Sequence, residues 1–212
     1  MKLDSKSLLL YAVTDRMWLN GRKLAEDVER ALLGGATFVQ LREKDATFEE
    51  FLEQAKEIKE VCGKYNVPFV INDNIEVALA IDADGVHVGQ SDMETGSVRK
   101  KLGKNKIIGV STRTVEEALL AQERGADYLG VGAMFQTSTK LDAADVTFEE
   151  LTAICKAVEI PVVAIGGISS NNVAELTGTG IDGVAVVSAL FAAEDIKKAT
   201  SEMKDKLGDV VK

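Results

Sequence analysis

Short apolar runs alternate with longer amphipathic stretches from one end of the chain to the other. Between the apolar runs, hydrophobic residues recur every three or four positions, as at Phe48, Phe51, Leu52, Ala55 and Ile58, which predicts helices with one buried face. A strand followed by a helix, repeated along the chain, predicts a parallel sheet covered by helices. Eight apolar runs rich in Val and Ile are the predicted strands, at residues 8–14, 37–41, 69–72, 85–88, 107–111, 128–132, 162–165 and 183–187.

A weak internal repeat favours closure of this sheet into a barrel. The turns before strands two, four, six and eight carry a Gly or an acidic residue and recur at about 45 to 55 residues, a plausible length for two βα units. These turns are Gly34-Gly35-Ala36-Thr37, Ile81-Asp82-Ala83-Asp84, Gly125-Ala126-Asp127 and Gly180-Ile181-Asp182. The chain of 212 residues is also close to the lower limit of about 200 for such a barrel. We therefore predict an α/β fold, a single (βα)8 TIM barrel, with residues 1–212 as one catalytic domain.

The composition and charge narrow the classes of partner. A hydrophobic fraction of 46% and a charged fraction of 28% argue against a disordered, collagen-like or coiled-coil chain. The net charge of −9 weighs against a nucleic-acid partner, because binding a duplex requires a surface that neutralises phosphates. The longest apolar run near the start, residues 8–13, is too short for a membrane span or a signal-peptide core. We expect a cytoplasmic protein without a membrane partner, and the oligomeric state, including a homo-oligomer, is left open.

Polar side chains collect where the predicted strands end, which is the active-site rim of such a barrel. They include the cations Arg42, Lys44 and Lys140, the carboxylates Asp73 and Asp92, the donors Gln40, Asn72, Ser111, Thr137 and Thr139, and the single histidine, His87. Cations, neutral donors and two Asp suit a diphosphate with one Mg²⁺. Such an ion takes one or two carboxylates and fills its shell with water and phosphate oxygens. Arg adds bidentate contacts to phosphate, and Lys a point charge.

A second anion site is predicted after the last two strands. Gly166-Gly167-Ile168-Ser169-Ser170 joins strand seven to a predicted helix start, and Val187-Ser188-Ala189 does the same after strand eight. Backbone N–H groups at helix N-termini bind phosphate, and these two loops form the common phosphate site of barrels. Two phosphate sites in one mouth imply two phosphorylated groups. With a single His in the chain, the reaction is expected to depend on leaving-group stabilisation more than on proton transfer.

At these residues the sequence resembles the thiamine phosphate synthase family over nearly its full length. The motifs that carry the resemblance are Tyr11-Ala12-Val13-Thr14-Asp15-Arg16, Val39-Gln40-Leu41-Arg42-Glu43-Lys44, Ile71-Asn72-Asp73, Gly85-Val86-His87-Val88-Gly89-Gln90 with Asp92, Ile108-Gly109-Val110-Ser111, Phe135-Gln136-Thr137-Ser138-Thr139-Lys140, Ala164-Ile165-Gly166-Gly167-Ile168 and Val186-Val187-Ser188-Ala189. Together they are highly specific. The family usually has Pro where this chain has Gln136, and Gln frees the backbone φ, so we expect a more mobile loop at residues 133–145.

The resemblance implies a reaction and a role for each residue. A hydroxymethylpyrimidine diphosphate would be joined to a hydroxyethylthiazole phosphate by a dissociative, Mg²⁺-assisted route, giving thiamine phosphate and diphosphate. Asp73 and Asp92 would hold the Mg²⁺. Arg42, Lys44, Asn72, Ser111 and Lys140 would hold the diphosphate, with Arg42, Ser111 and Lys140 as the catalytic residues. Gln40 would face the aminopyrimidine, His87, Thr137 and Thr139 would contact substrate, and Gly167, Val187 and Ser188 would hold the thiazole phosphate.

Alternatives stay open for the roles of single residues and for the function of the protein. Asp73 and Asp92 could cap the helices that follow them, and Ser111 could simply end a strand while Thr112 caps a helix. Gln40 and His87 could be buried polar residues of the barrel interior, and Arg42, Lys44 and Lys140 could be surface charges. A thiazole tautomerase of the same superfamily would share the barrel, and so would a non-catalytic barrel that binds thiazole or thiamine phosphate. The retained diphosphate and Mg²⁺ residues favour the synthase.

Overall fold

The structure, a computed structural model, describes residues 3–90, 97–136 and 145–211 and contains a closed barrel of eight parallel strands. The strands are β1 Leu10–Val13, β2 Phe38–Leu41, β3 Phe69–Asn72, β4 Gly85–Val88, β5 Ile107–Thr112, β6 Tyr128–Val131, β7 Val162–Ile165 and β8 Gly183–Val186. They follow one another in chain order, and β1 also pairs with β8, which closes the sheet. The predicted (βα)8 barrel is confirmed; the bounds of β3, β4 and β7 are as predicted, and those of the other five strands differ by one or two residues.

Helices cover the outside of the barrel. They are α1 Leu24–Gly34, α2 Phe48–Tyr65, α3 Ile75–Ala80, α4 Ser97–Leu102, α5 Val115–Glu123, α6 Phe148–Ala157, α7 Ser188–Phe191 and α8 Ile196–Leu207, with short 3₁₀ helices at Ser5–Leu8, Arg16–Trp18 and Val173–Leu176. Thr47, Thr114 and Thr147 each cap a helix by accepting a hydrogen bond from the N–H three residues later. No helix in the described part of the chain combines the length and apolar character needed to cross a membrane.

The prediction of a helix start directly after strand seven is wrong. That connection forms a turn followed only by the 3₁₀ helix Val173–Leu176. Gly166 and Gly167 both have positive φ, 98° and 63°, which is incompatible with a right-handed helix. The Asn172 side chain then accepts a hydrogen bond from Ser169 N and donates one to Gly167 O, which stabilises the turn.

Apolar residues pack in two layers. The larger layer lies between the barrel and its helices, and the smaller one fills the barrel interior. Three rings meet in the interior: Tyr11, Phe38 and Tyr128, with centroids 4.7 to 5.9 Å apart in edge-to-face geometry. The interior therefore contains two phenol hydroxyls among apolar side chains, directly below the mouth.

The four-fold repeat has a physical basis at the N-terminal rim. In each pair of units, the side chain just before the even strand accepts a hydrogen bond of 2.8 to 2.9 Å from an N–H at the start of the preceding odd strand. The backbone N–H of the same residue donates back to that strand's carbonyl at 2.7 to 3.0 Å. The pairs are Thr37 with Leu10, Asp84 with Phe69, Asp127 with Ile108 and Asp182 with Val162. We call these four reciprocal contacts the rim pairs.

Asp127→Ala tests the contribution of one rim pair to stability. Asp127 Oδ2 accepts from Ile108 N and also from Arg99 Nη2 at 2.6 Å, so alanine leaves two donors without this acceptor. We expect the free energy of unfolding, measured by urea denaturation, to fall by about 2 kcal/mol. Asp205→Ala, a change of the same kind at an exposed position of α8, should stay within about 0.5 kcal/mol of the parent. Equal losses in the two variants would contradict a special role for the rim pair.

Candidate active site

A pocket opens at the C-terminal ends of the strands. Its wall is formed by Gln40, Arg42, Asn72, His87, Ser111 and Arg113 from β2 to β5, by Gly130, Gly132, Ala133, Ile165, Gly166, Gly167 and Ile168 from β6 and β7, and by Val13, Ala185, Val186, Val187 and Ser188. Since the strands close in chain order, β3 and β4 lie across the barrel from β7 and β8. The wall therefore has polar side chains on one side and glycine-rich loops on the other.

Most of the described residues predicted for the site line this pocket. They are Gln40, Arg42, Asn72, His87, Ser111, Gly167, Val187 and Ser188. Lys44 is an exposed residue of the loop after β2, and neither it nor Asp73 belongs to the pocket wall. The predictions for Asp92, Thr137, Thr139 and Lys140 lie outside the described residues.

From the pocket wall into the barrel interior, five side chains form a continuous set of hydrogen bonds that we call the interior network. Gln40 Nε2 lies 2.5 Å from the Tyr11 hydroxyl, which lies 2.8 Å from the Tyr128 hydroxyl. Tyr128 contacts His87 Nδ1 at 2.9 Å, and His87 Nε2 contacts Ser111 Oγ at 3.0 Å. His87 and Gln40 are therefore both buried polar groups of the barrel and parts of the pocket wall.

Burial keeps both phenols of the interior network protonated. Loss of solvation raises the pKa of Tyr11 above its ordinary value, and its hydrogen bonds with Tyr128 and Gln40 offset only part of this rise. The pKa of Tyr128 is also raised well above its ordinary value, first by burial and then by the neighbouring Tyr11. Each hydroxyl therefore carries one proton to donate at neutral pH. Sequence reasoning missed Tyr11 and Tyr128, although a Tyr within an apolar strand run was the available signal.

Glycine on β5 makes room for this network. A Cβ at Gly109 would collide with the Tyr128 ring and with His87 Nδ1. At Gly130 on β6, a Cβ would lie 3.1 Å from His87 Cε1, again in tight contact with the imidazole. The Ile108-Gly109-Val110-Ser111 motif therefore combines a pocket residue, Ser111, with the space that its histidine partner needs.

Arg42 is held at the pocket by the loops after β1 and β2. Its backbone N–H donates to Thr14 Oγ1 at 3.0 Å, and its Nη1 lies 3.6 Å from Asp15 Oδ2. The next residue, Glu43, pairs with Arg16 at 3.6 Å. Burial raises the pKa of the Glu43 carboxyl, and the charge of Arg16 opposes this shift. The Arg42 side chain is only 16% exposed, so an anion in the pocket would meet a partly desolvated cation.

Asp73 has an unusual backbone position after β3. Its φ is 58°, its N–H donates to His87 O at 2.9 Å, and its Oδ2 accepts from Asn72 Nδ2 at 2.5 Å. The N-cap of α3 is Asn74, whose side chain accepts from Val77 N, so the alternative of Asp73 as a helix cap is wrong. In the same way Thr114, and not Thr112, caps the helix after β5.

The glycine loop after β7 packs against the loop after β6. Phe135 N donates to Gly166 O, and Met134 N donates to Ile165 O, both at 3.0 Å. A Cβ at Gly167 would lie 2.7 Å from Phe135 O and would collide with Gln136 O. Across β8, the short helix α7 begins at Ser188 with Val187 as its N-cap, without a side-chain cap. Glycine therefore lets backbone groups approach the pocket closely on this side.

Comparisons with known proteins agree on one family. The family described as thiamine monophosphate synthase matches residues 10–190. A thiamine-phosphate synthase of Clostridium tetani is 54% identical over 194 residues, 92% of this chain and 93% of the relative. One of Clostridium botulinum is 49% identical over 205 residues, 95% and 96% of the two chains. The solved structure of a thiamine phosphate pyrophosphorylase from Pyrococcus furiosus superposes with a TM-score of 0.89 at 43% identity, covering 97% of this chain and 98% of that one.

Gly109→Ala tests the space that the interior network requires. The added methyl group must displace the Tyr128 ring or His87, so we expect the free energy of unfolding to fall by about 1–3 kcal/mol in urea denaturation. Gly63→Ala is the matched control, because Gly63 lies within helix α2 and its Cβ would meet nothing within 4 Å. The control should gain up to about 1 kcal/mol. A Gly109→Ala protein as stable as the parent would show that Tyr128 and His87 can shift at little cost in free energy.

Proposed function

The chain belongs to the thiamine monophosphate synthase family, and we infer that it is a thiamine-phosphate synthase. It is a transferase that condenses 4-amino-5-hydroxymethyl-2-methylpyrimidine diphosphate with 4-methyl-5-(2-phosphooxyethyl)thiazole, forming thiamine phosphate and releasing diphosphate. Identities of 49% to 54% to thiamine-phosphate synthases, over more than nine tenths of the chain, support this assignment.

The observation that carries the proposal is the two-sided pocket. On one side, Arg42, Asn72 and Ser111 offer a guanidinium, an amide and a hydroxyl, the donors that a diphosphate needs. On the other side, the backbone around Gly167 and Val187–Ser188 suits the phosphate of the thiazole. One pocket with both walls can hold two phosphorylated substrates with their reacting groups in contact.

The donor set fits one Mg²⁺. Asp73 directly follows β3; its N–H donates to His87 O, and its Oδ2 accepts from Asn72, a residue of the pocket wall. Mg²⁺ needs only one or two carboxylates, because water and substrate phosphate oxygens complete its octahedral shell. Asp92, the second predicted ligand, lies outside the described residues. When bound, the ion would neutralise charge on the diphosphate and so improve it as a leaving group.

The residues of the chain act by stabilising charge and by positioning. The bond between the pyrimidine methylene and the diphosphate oxygen breaks, and its electron pair leaves with the diphosphate. Arg42, Asn72 and Ser111 donate to the oxygens on which this charge develops, in positions fixed before the reaction. The thiazole nitrogen then uses its lone pair to bond to the methylene carbon. It carries no proton, so a general base is not required, and holding both substrates together supplies much of the remaining effect.

Other predictions from the sequence stay part of the proposal. Lys44, His87, Thr137, Thr139 and Lys140 are proposed substrate contacts, with Lys140 among the catalytic residues, and Gln40 is the proposed contact of the aminopyrimidine. A single catalytic domain over residues 1–212, a cytoplasmic location and the lack of nucleic-acid and membrane partners also remain predictions. The oligomeric state stays open.

Product analysis tests the function directly. The purified protein, mixed with both phosphorylated substrates and Mg²⁺, is expected to release diphosphate and form thiamine phosphate in equal amounts, measured by chromatography. Omission of the thiazole phosphate should abolish the product. A protein that isomerises the thiazole without releasing diphosphate would be a tautomerase, and one that binds thiamine phosphate in calorimetry without turnover would be a binding barrel. Either result overturns the proposal.

Arg42→Ala tests the diphosphate side of the pocket. Loss of a charge-assisted contact should raise the KM for the pyrimidine diphosphate by about 10- to 100-fold, while the KM for the thiazole phosphate stays nearly constant. Arg42→Lys should recover only part of the loss, because an ammonium cannot form the bidentate contact. Arg30→Ala, which removes an exposed arginine of α1, is the control. Equal changes in both KM values would argue against this placement of the diphosphate.

Two substitutions at Ser188 test the thiazole phosphate side. Because backbone N–H groups supply part of the proposed contact, Ser188→Ala should change the KM for the thiazole phosphate by only about threefold. Ser188→Leu places a bulky group in the pocket wall and should raise that KM far more. Steady-state kinetics in each substrate measures both effects. A severe loss with alanine would show that the hydroxyl, and not the backbone, dominates the contact.

A further inference from the structure

The interior network connects two parts of the pocket that contact different groups of one substrate. Gln40 ends it on the side proposed for the aminopyrimidine, and Ser111 ends it on the side proposed for the diphosphate. Tyr11 and Tyr128 lie between them, fully buried, and neither belongs to the pocket wall. Any effect of these two tyrosines on the reaction must therefore pass through their partners.

We propose that Tyr128 is a positioning residue that sets the direction of the interior network at His87, so that Ser111 keeps its hydroxyl proton for the substrate diphosphate. Tyr11 connects Tyr128 to Gln40. The identity of that anion rests on the proposed function. The direction of the hydrogen bonds does not, because it follows from the orientation of the Gln40 amide, with Nε2 towards Tyr11, and from the donors and acceptors within the barrel.

The direction follows from the number of protons on each group. Gln40 Nε2 can only donate, so the Tyr11 oxygen accepts and gives its one proton to Tyr128. Tyr128 in turn gives its proton to His87 Nδ1. A neutral imidazole that accepts at Nδ1 carries its proton on Nε2, which donates to Ser111 Oγ. The hydroxyl proton of Ser111 is then available to an anion in the pocket.

The opposite direction has a structural cost. If Ser111 donated to His87, then Tyr128 would donate to Tyr11, and the proton of Tyr11 would lack an acceptor in the network. An unsatisfied donor at a buried position is strongly unfavourable. Turning the Gln40 amide over would remove that cost, but it would commit the Ser111 proton to His87 and leave the diphosphate without this donor. The two directions differ in one observable, the ring nitrogen of His87 that carries the proton.

The single histidine makes this observable accessible. His87 is the only histidine in the sequence, so incorporation of ¹⁵N-histidine labels one imidazole and removes any ambiguity of assignment. Long-range ¹H–¹⁵N spectra of the neutral ring in the substrate-free protein distinguish the two tautomers. We expect the Nε2–H form in the parent protein. The Nδ1–H form would overturn the proposal, whatever the activity of the protein.

Two variants separate the tyrosines from each other. Tyr128→Phe removes the donor to His87 Nδ1, so the Nε2–H form should no longer be the only tautomer present. Tyr11→Phe leaves Tyr128 free to donate, so the Nε2–H form should persist while the orientation of Gln40 is lost. A role limited to filling space predicts the same tautomer in the parent and in both variants, and that result would contradict the proposal.

Kinetics then tests the link to substrate. Tyr128→Phe should lower kcat/KM for the pyrimidine diphosphate by about tenfold, with the KM for the thiazole phosphate unchanged. Tyr65→Phe is the matched control, because it removes a hydroxyl that donates to Glu29 at 3.2 Å outside the barrel, and it should stay within about twofold of the parent. Equal kinetics in the two variants would refute the positioning role. A parent protein that forms no thiamine phosphate but shows the Nε2–H form refutes only the proposed function.

Discussion

Pairing between β1 and β8 is the contact on which the arrangement of the mouth depends. It closes the sheet in chain order, so all eight strands end at one rim, and residues far apart in the chain meet there. Arg42 and Ser188 belong to the second and the eighth strand units, yet they line one pocket. In an open sheet with the same strands, the ends of β2 and β8 would lie far from each other and could not enclose two substrates.

Much of the fold could be predicted because its determinants are local. Strands buried on both faces are apolar runs, and Thr47, Thr114 and Thr147 mark helix starts that depend only on their neighbours. The prediction of a helix directly after β7 is wrong for a local reason as well, since two positive-φ glycines and the Asn172 side chain favour a turn. Glycine in a sequence does not reveal which sign of φ it adopts.

The site was predictable where side chains follow a strand end and less so where they lie inside the barrel. Asn72 and Ser111 could be placed at the rim by position alone. Tyr11 and Tyr128 look like ordinary strand residues, and their contact depends on the stagger of strands across the barrel. Lys44 differs from both: its place in a motif at the end of β2 predicts a substrate contact, whereas the structure shows an exposed loop residue outside the pocket wall, so its role stays a prediction. Inward or outward direction in a loop is set by tertiary contacts.

The rim pairs have a consequence for how segments of such a barrel can be exchanged between homologous proteins. Each joins an odd strand to the turn just before the next strand, so both residues of a rim pair lie within one contiguous quarter of the chain. The mouth, by contrast, combines groups from several quarters. A quarter transplanted into a homologous barrel would keep its own rim pair at the N-terminal end. The residues of the mouth would then come from two different proteins. Recombination at these boundaries thus separates inheritance of the scaffold from inheritance of the chemistry.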